Sequence, residues 1–91
     1  MNRKTHEIHH KDQAYTIPLK EFELIFKLGS YPGKTFSRED LIENIWGYDY
    51  EGDERTVDVH IKRIRERFPD NQFPFRIKTI RGLGYRLEIL T

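Results

Sequence analysis

Apolar residues along the chain recur first at strand spacing, then at helix spacing, then at strand spacing again. From Thr5 to Ile17 the alternates Ile8, Tyr15 and Ile17 predict two short strands, with Lys11-Asp12-Gln13 as the polar turn. Leu19 to Leu28 carries apolar residues at 19, 22, 25, 26 and 28, the spacing of one helical face. Pro18 suits the first turn, where a missing N–H breaks no helical bond. Gly29 and then Pro32-Gly33 are expected to stop this helix. A second helix is expected from Ser37, a good N-cap, with Asp40 three positions on resembling the acidic member of a capping box. Leu41, Ile42, Ile45 and Trp46 form its stripe, and Gly47 suits the position just past its end.

The third helix is expected over Arg55–Phe68, ended by Pro69. With Val57 as origin and about 100° per residue, Ile61, Ile64 and Phe68 fall within about 40° of it. These four form its core stripe. The opposite side carries Arg55, Val59, Lys62, Arg63 and Glu66, so one apolar residue is stranded among charges. After the Pro-containing connection Asp70 to Phe75, two strands are expected, Ile77–Ile80 and Tyr85–Ile89. They are joined through Arg81-Gly82-Leu83-Gly84, whose glycines permit φ > 0 in a tight turn. The order ββ-α-α-α-ββ predicts a single α+β domain over residues 1–91.

Composition agrees with one small folded unit. Leu, Ile, Val and Phe make up 25 of the 91 residues, above the ~20% level below which highly charged chains stay disordered. A core of this size does not readily enclose a deep substrate cavity, which lowers the expectation of an enzyme. Cysteine is absent, so disulfides, thiolate nucleophiles and Cys-based zinc sites are excluded; the same fact is compatible with a reducing cytosol. No apolar run approaches the ~18 residues of a membrane span, and no apolar secretory segment opens the chain.

The net charge of +1 conceals an asymmetry. Residues 1–54 carry 7 bases and 11 acids, net −4, whereas residues 55–91 carry 9 bases and 4 acids, net +5. Within residues 35–54, Arg38 alone stands against seven acids. Chance scatter over a solvated surface is one reading; the other is two faces, one suited to an anionic partner and one kept away from it.

A helix fits the major groove of B-DNA, where Arg pairs with guanine and an apolar side chain meets the thymine methyl. Arg55, Lys62 and Arg63 around Val59 offer both kinds of group. Thr56, His60 and Arg65 flank them within reach of phosphates. Ordinary surface arginines on a solvated helix would look the same. The hairpin adds a second basic element, with Lys78, Arg81 and Arg86 clustered and Arg81 near the glycine turn, suited to a minor groove.

Helix, helix, basic helix and basic hairpin is the order of a winged helix-turn-helix. The residues resemble the C-terminal effector domain of the OmpR/PhoB class of bacterial two-component response regulators. The resemblance rests on Glu21-Phe22-Glu23-Leu24, Pro32-Gly33 with Ser37-Arg38-Glu39, Trp46-Gly47, Arg55-Thr56-Val57-Asp58-Val59-His60-Ile61 and Arg81-Gly82-Leu83-Gly84-Tyr85. It covers roughly Ile8 to Leu87, in order and without large gaps.

What the resemblance implies is a cytoplasmic regulator of transcription that binds double-stranded DNA, with tandem half-sites and a homodimer on DNA. Arg55–Phe68 would enter the major groove and the wing Ile77–Ile89 would lie at the minor groove. It implies groove- or phosphate-facing roles for Arg55, Thr56, Val59, His60 and Arg63. Lys62 and Arg65 would meet the DNA backbone, and Thr79, Arg81 and Tyr85 would make the wing contact. Trp46 falls near the DNA backbone or packs in the core, and the ring of Tyr85 packs while its hydroxyl reaches a phosphate. Gly47 to Glu54 corresponds to a loop that can meet RNA polymerase through Tyr48, Asp49, Tyr50 and Glu51, or is a plain solvated loop. Ile17-Pro18 stands where the family often has Leu-Thr, so the first helix is expected to start differently. A receiver domain is absent from this sequence, so a cognate histidine kinase would act only through a longer parent.

Two rival classes remain. His6, His9 and His10 form H-x-x-H-H, but a strand places His6 and His10 on one face and His9 on the other, with no fixed third ligand. No metal site, cofactor or catalytic residue is therefore expected. Asp58 reads as a local partner of Arg55 or Lys62 rather than as a general base. A winged helix that binds only proteins is the other rival, and would be insensitive to Arg63→Ala.

Overall fold

In the computed structural model, which describes residues 6–90, the chain opens with an antiparallel hairpin of β1 (Glu7–His10) and β2 (Gln13–Thr16). Ile8 faces Tyr15 across it. Lys11 and Asp12 alone make the turn, both at positive φ (48° and 65°), while Gln13 already pairs with His10. That is the twisted two-residue turn favoured by adjacent strands, so the turn is one residue shorter than expected. The expected strand start at Thr5 lies outside the described residues.

Helix α1 spans Leu19–Ser30 behind Pro18. Gly29 does not end it; the glycine lies inside the last turn, facing Leu87. A helical glycine costs about 1 kcal/mol relative to alanine, and packing against the C-terminal hairpin outweighs that. The helix stops instead at Tyr31, just before Pro32-Gly33. Its buried face is Phe22, Leu24, Ile25 and Leu28, whereas Leu19 is 45% exposed. Leu24, omitted from the expected stripe, has no exposed surface.

Helix α2 begins as an α-helix over Arg38–Leu41, capped by Ser37, whose Oγ accepts from the Asp40 amide at 3.0 Å. It then widens into a π-helical turn over Ile42–Trp46, closed by the Gly47 amide donating to the Ile42 carbonyl at 2.9 Å. Gly47 takes φ 104°, as its position past the helix requires. Leu41 and Ile45 are buried, and Ile42 and Trp46 pack against the core from its margin. Helix α3 spans Arg55–Arg67, with Phe68 as its cap residue. Val57, Ile61, Ile64 and Phe68 are all buried, as the periodicity predicts.

The chain ends in an antiparallel hairpin of β3 (Phe75–Ile80) and β4 (Gly84–Ile89), in the register Ile77↔Leu87 and Thr79↔Tyr85. Both strands start earlier than the apolar alternation suggests, because backbone pairing continues through Phe75, Arg76 and Gly84. On its other side β4 is bonded by the approach to α2. Phe36 and Tyr85 exchange two backbone bonds at 2.8 and 2.9 Å, and the Gly33 amide donates to the Leu87 carbonyl at 2.8 Å. Gly84 sits in this seam at φ 153°, where a Cβ would collide with the Phe36 carbonyl.

Three helices and two strand pairs thus enclose one core, each fully buried leucine or isoleucine contributing about 1.5–3 kcal/mol. Among the described residues, one charge enters it. Glu21 on α1 is 2% exposed and accepts from Nε of Arg67, on the last turn of α3, at 2.8 Å. Among the described residues no helix is long and apolar enough to cross a membrane.

Candidate nucleic-acid interface

Because Val57, Ile61 and Ile64 turn inward, the opposite face of α3 must lie in solvent. Val59 is 45% exposed there, an apolar side chain with no core role. Lys62 and Arg63 are exposed beside it and make no ion pair among the described residues.

Arg55 is held differently. Its Nε and Nη2 donate to Asp53 Oδ2 at 3.0 and 2.9 Å, and its amide donates to Asp53 Oδ1 at 2.8 Å. The guanidinium beside Asp53 keeps that carboxyl below its usual range, and the carboxylate raises Arg55 in turn. Both groups are open to water, so the pair orients Arg55 more than it stabilises the fold. Thr56 and His60 lie on the flank. The Nδ1 of His60 donates to the Thr56 carbonyl at 2.6 Å, and its ring meets Trp46 edge-on at 5.1 Å. Trp46 also lies 6.2 Å from Tyr50 and beneath Lys20 Nζ at 5.8 Å. It therefore connects α1, the following loop and α3.

Asp58 does not pair with Arg55 or Lys62. Helical spacing permits those contacts, but the carboxylate turns toward the hairpin and α2. Its Oδ2 accepts from Arg38 Nη1 at 3.2 Å, and its Oδ1 accepts from the Tyr85 hydroxyl at 2.5 Å. Burial, followed by the bond to the Asp58 carboxylate, pushes the Tyr85 hydroxyl up to about 12. Arg65 also turns to the hairpin, donating to the Ile77 carbonyl from Nε and Nη2 at 3.1 and 2.8 Å and to Thr79 Oγ1 at 2.8 Å. These long-range partners have no sequence signal.

The basic cluster expected on the hairpin is divided. Arg86 is neutralised by Glu88 at 2.7 Å, which Arg76 also contacts at 2.8 Å, and the two guanidiniums hold Glu88 below the ordinary carboxylate range. Lys78 and Arg81 stay exposed without a carboxylate partner among the described residues. Arg81 opens the turn, followed by Leu83 at 66% exposure. The loop between α2 and α3 presents Tyr48, 87% exposed, with Asp49 and Glu51 also in solvent and Tyr50 drawn toward Trp46. The three histidines diverge: His6 lies against Phe22, His10 donates to the Gln72 carbonyl, and His9 faces Glu7.

Comparison with known proteins identifies the family and the fold. Residues 12–87 match the family model described as transcriptional regulatory protein, C terminal. The heme response regulator HssR of Staphylococcus aureus (strain Newman) is 50% identical over 88 residues, which cover 97% of this chain. The chain spans 39% of the length of that relative. The DNA-binding domain of Bacillus subtilis CssR is 33% identical with a TM-score of 0.78, covering 89% of either chain. The Klebsiella pneumoniae RstA DNA-binding domain, solved in complex with the RstA box, is 31% identical with a TM-score of 0.76, covering 90% of this chain and 82% of that one. The chain belongs to the transcriptional regulatory protein C-terminal family: it is a response-regulator DNA-binding domain of the OmpR/PhoB type, with a winged-helix fold, and its family is one of transcription regulators rather than enzymes.

Proposed function

We propose that the domain reads specific double-stranded DNA in the cytoplasm, with α3 in the major groove and the β3–β4 wing at the adjacent minor groove. The observation that carries this reading is the exposure of Val59, Lys62 and Arg63 on one face of α3, with Arg81 at the hairpin tip. Arg63 and Arg55 are the base readers, Val59 is the thymine-methyl contact, and Arg81 enters the minor groove. Lys62, Thr56 and His60 meet phosphates.

The remaining wing residues divide by their free donors. Arg65 has five N–H groups and keeps its Nη1 pair for a phosphate. The Thr79 hydroxyl accepts from Arg65, and its own hydrogen remains available to a phosphate. Tyr85 has one O–H, and it reaches a phosphate only by leaving Asp58.

Tyr48, Asp49, Tyr50 and Glu51 form a surface for RNA polymerase, supported by the exposure of Tyr48 and an acidity unsuited to phosphates. Tandem half-sites bound by a homodimer, and control by a histidine kinase through a receiver domain of a longer protein, complete the reading.

Selection of bound sequences from a random duplex pool tests it. A recovered half-site whose base preference relaxes at one position in Arg63→Ala is expected. Recovery of no enriched sequence, or an unchanged preference in Arg63→Ala, overturns the assignment of α3. For the loop, cross-linking from Tyr50 to polymerase on the bound promoter is expected, and its complete absence removes that contact.

A further inference from the structure

The α3 face and the wing tip are two separate readers, and the offset between them decides whether both can engage one duplex. Along the hairpin the last rung with a buried side chain is Thr79–Tyr85; Arg81 to Leu83 beyond it are exposed. The direction of the tip is therefore set at that rung and at the adjoining Gly84–Phe36 seam, with no packing of Arg81 to Leu83 further out.

Two side chains of α3 grip it. Asp58 and Arg65 are seven residues apart, two helical turns, and so share one side of the helix. Asp58 takes the Tyr85 hydroxyl, while Arg65 takes Thr79 Oγ1 and the Ile77 carbonyl and lies over the Tyr85 ring at 5.7 Å. The second oxygen of Asp58 accepts from Arg38, which brings α2 into the same junction. The Phe36–Tyr85 bridge is independent of this grip, since it ties β4 to the approach of α2 and not to α3.

An acid on a DNA-facing helix opposes phosphate attraction, which makes its presence here informative. We infer that Asp58 is a positioning residue for DNA recognition: through Tyr85 it sets the offset of the wing from α3, so that major- and minor-groove contacts strengthen one another. The inference rests on the reading of α3 and the wing as two groove readers. A bond between two charged or polar groups held at both ends transmits position well, because neither partner can move without losing a charge-assisted hydrogen bond.

A double-mutant cycle on the 91-residue chain tests it, with the duplex that the wild-type chain selects from a random pool as probe. Arg81→Ala is introduced into the wild type, into Tyr85→Phe and into Asp58→Asn, and binding is measured where all variants keep native far-UV dichroism. Two variants on opposite ends of one bond guard against a single one that fails to fold. Arg81→Ala is expected to weaken wild-type binding about tenfold and to weaken either clasp variant by less than about threefold. Equal losses in every background overturn the inference, even if Tyr85→Phe lowers the unfolding temperature, since the bond then serves stability alone. No loss from Arg81→Ala in the wild type overturns the wing reading itself, and the inference falls with it.

Discussion

One added methyl group at Gly84 would separate the wing from the approach to α2. The residue holds φ 153°, and its Cβ position is filled by the Phe36 carbonyl. Gly84→Ala is expected to lower stability by about 3 kcal/mol and the thermal midpoint by roughly 10–20 °C, measured by calorimetry. Tyr85 gives a second expectation, in pH. Its hydroxyl is raised from 10.0 to about 12, so the folded state holds that proton more tightly than the unfolded chain. The associated stability is present in full below about pH 10 and is lost as pH rises toward 12. Urea unfolding should therefore show a gap between wild type and Tyr85→Phe that is constant up to about pH 10 and narrows above it. A gap that does not change across that window would dismiss the buried hydroxyl as its source. At this scale the candidate site was only partly legible. The outward placement of Val59, Lys62 and Arg63 follows from helical phase alone, because one buried stripe fixes every other position. The partners of Asp58 and Arg65 depend on contacts 12 to 27 residues away, which periodicity does not encode.

Elements show the same division. The core stripe of α3, the Ser37 cap and the glycine after α2 are local features, and residue pattern was sufficient to find them. The π-helical turn Ile42–Trp46 has no such local signature, since an α-helical stripe and a π-helical one share most of their apolar positions over a single turn. Nor was Glu21 visible as a buried residue, because its burial requires Arg67 from another helix. That pair makes a specific expectation. Arg67→Ala strands a carboxylate that is 2% exposed and should cost about 3 kcal/mol in urea unfolding, whereas Arg67→Ala combined with Glu21→Leu should recover most of the loss. If the double variant is no more stable than Arg67→Ala, the carboxylate is not the source of the cost.

For the whole molecule, the net charge of +1 predicts little attraction to DNA, whereas its distribution predicts a good deal. Fixed placement of the acids at 35–54 and the bases at 55–91 makes the attraction local and strongly dependent on salt. The logarithm of affinity for the selected duplex should fall linearly with the logarithm of salt concentration, with a slope of about 0.9 per phosphate neutralised, and Arg81→Ala should reduce that slope by about one. A flat salt response would exclude electrostatic contact with the backbone.

On the proposed reading, the grip of Asp58 and Arg65 on the wing also makes the protein a ruler. A wing swinging freely could follow its minor-groove target if one base pair were inserted between the two determinants. A wing at fixed offset cannot, because the insertion moves that target by about 3.4 Å and turns it by about 35° around the duplex. Titration of such lengthened duplexes should show affinity falling close to that for unrelated DNA, and undiminished binding would mean a hinged wing. Under that proposal the recognised word is a single rigid string of bases, whose two parts can change in letter but not in spacing.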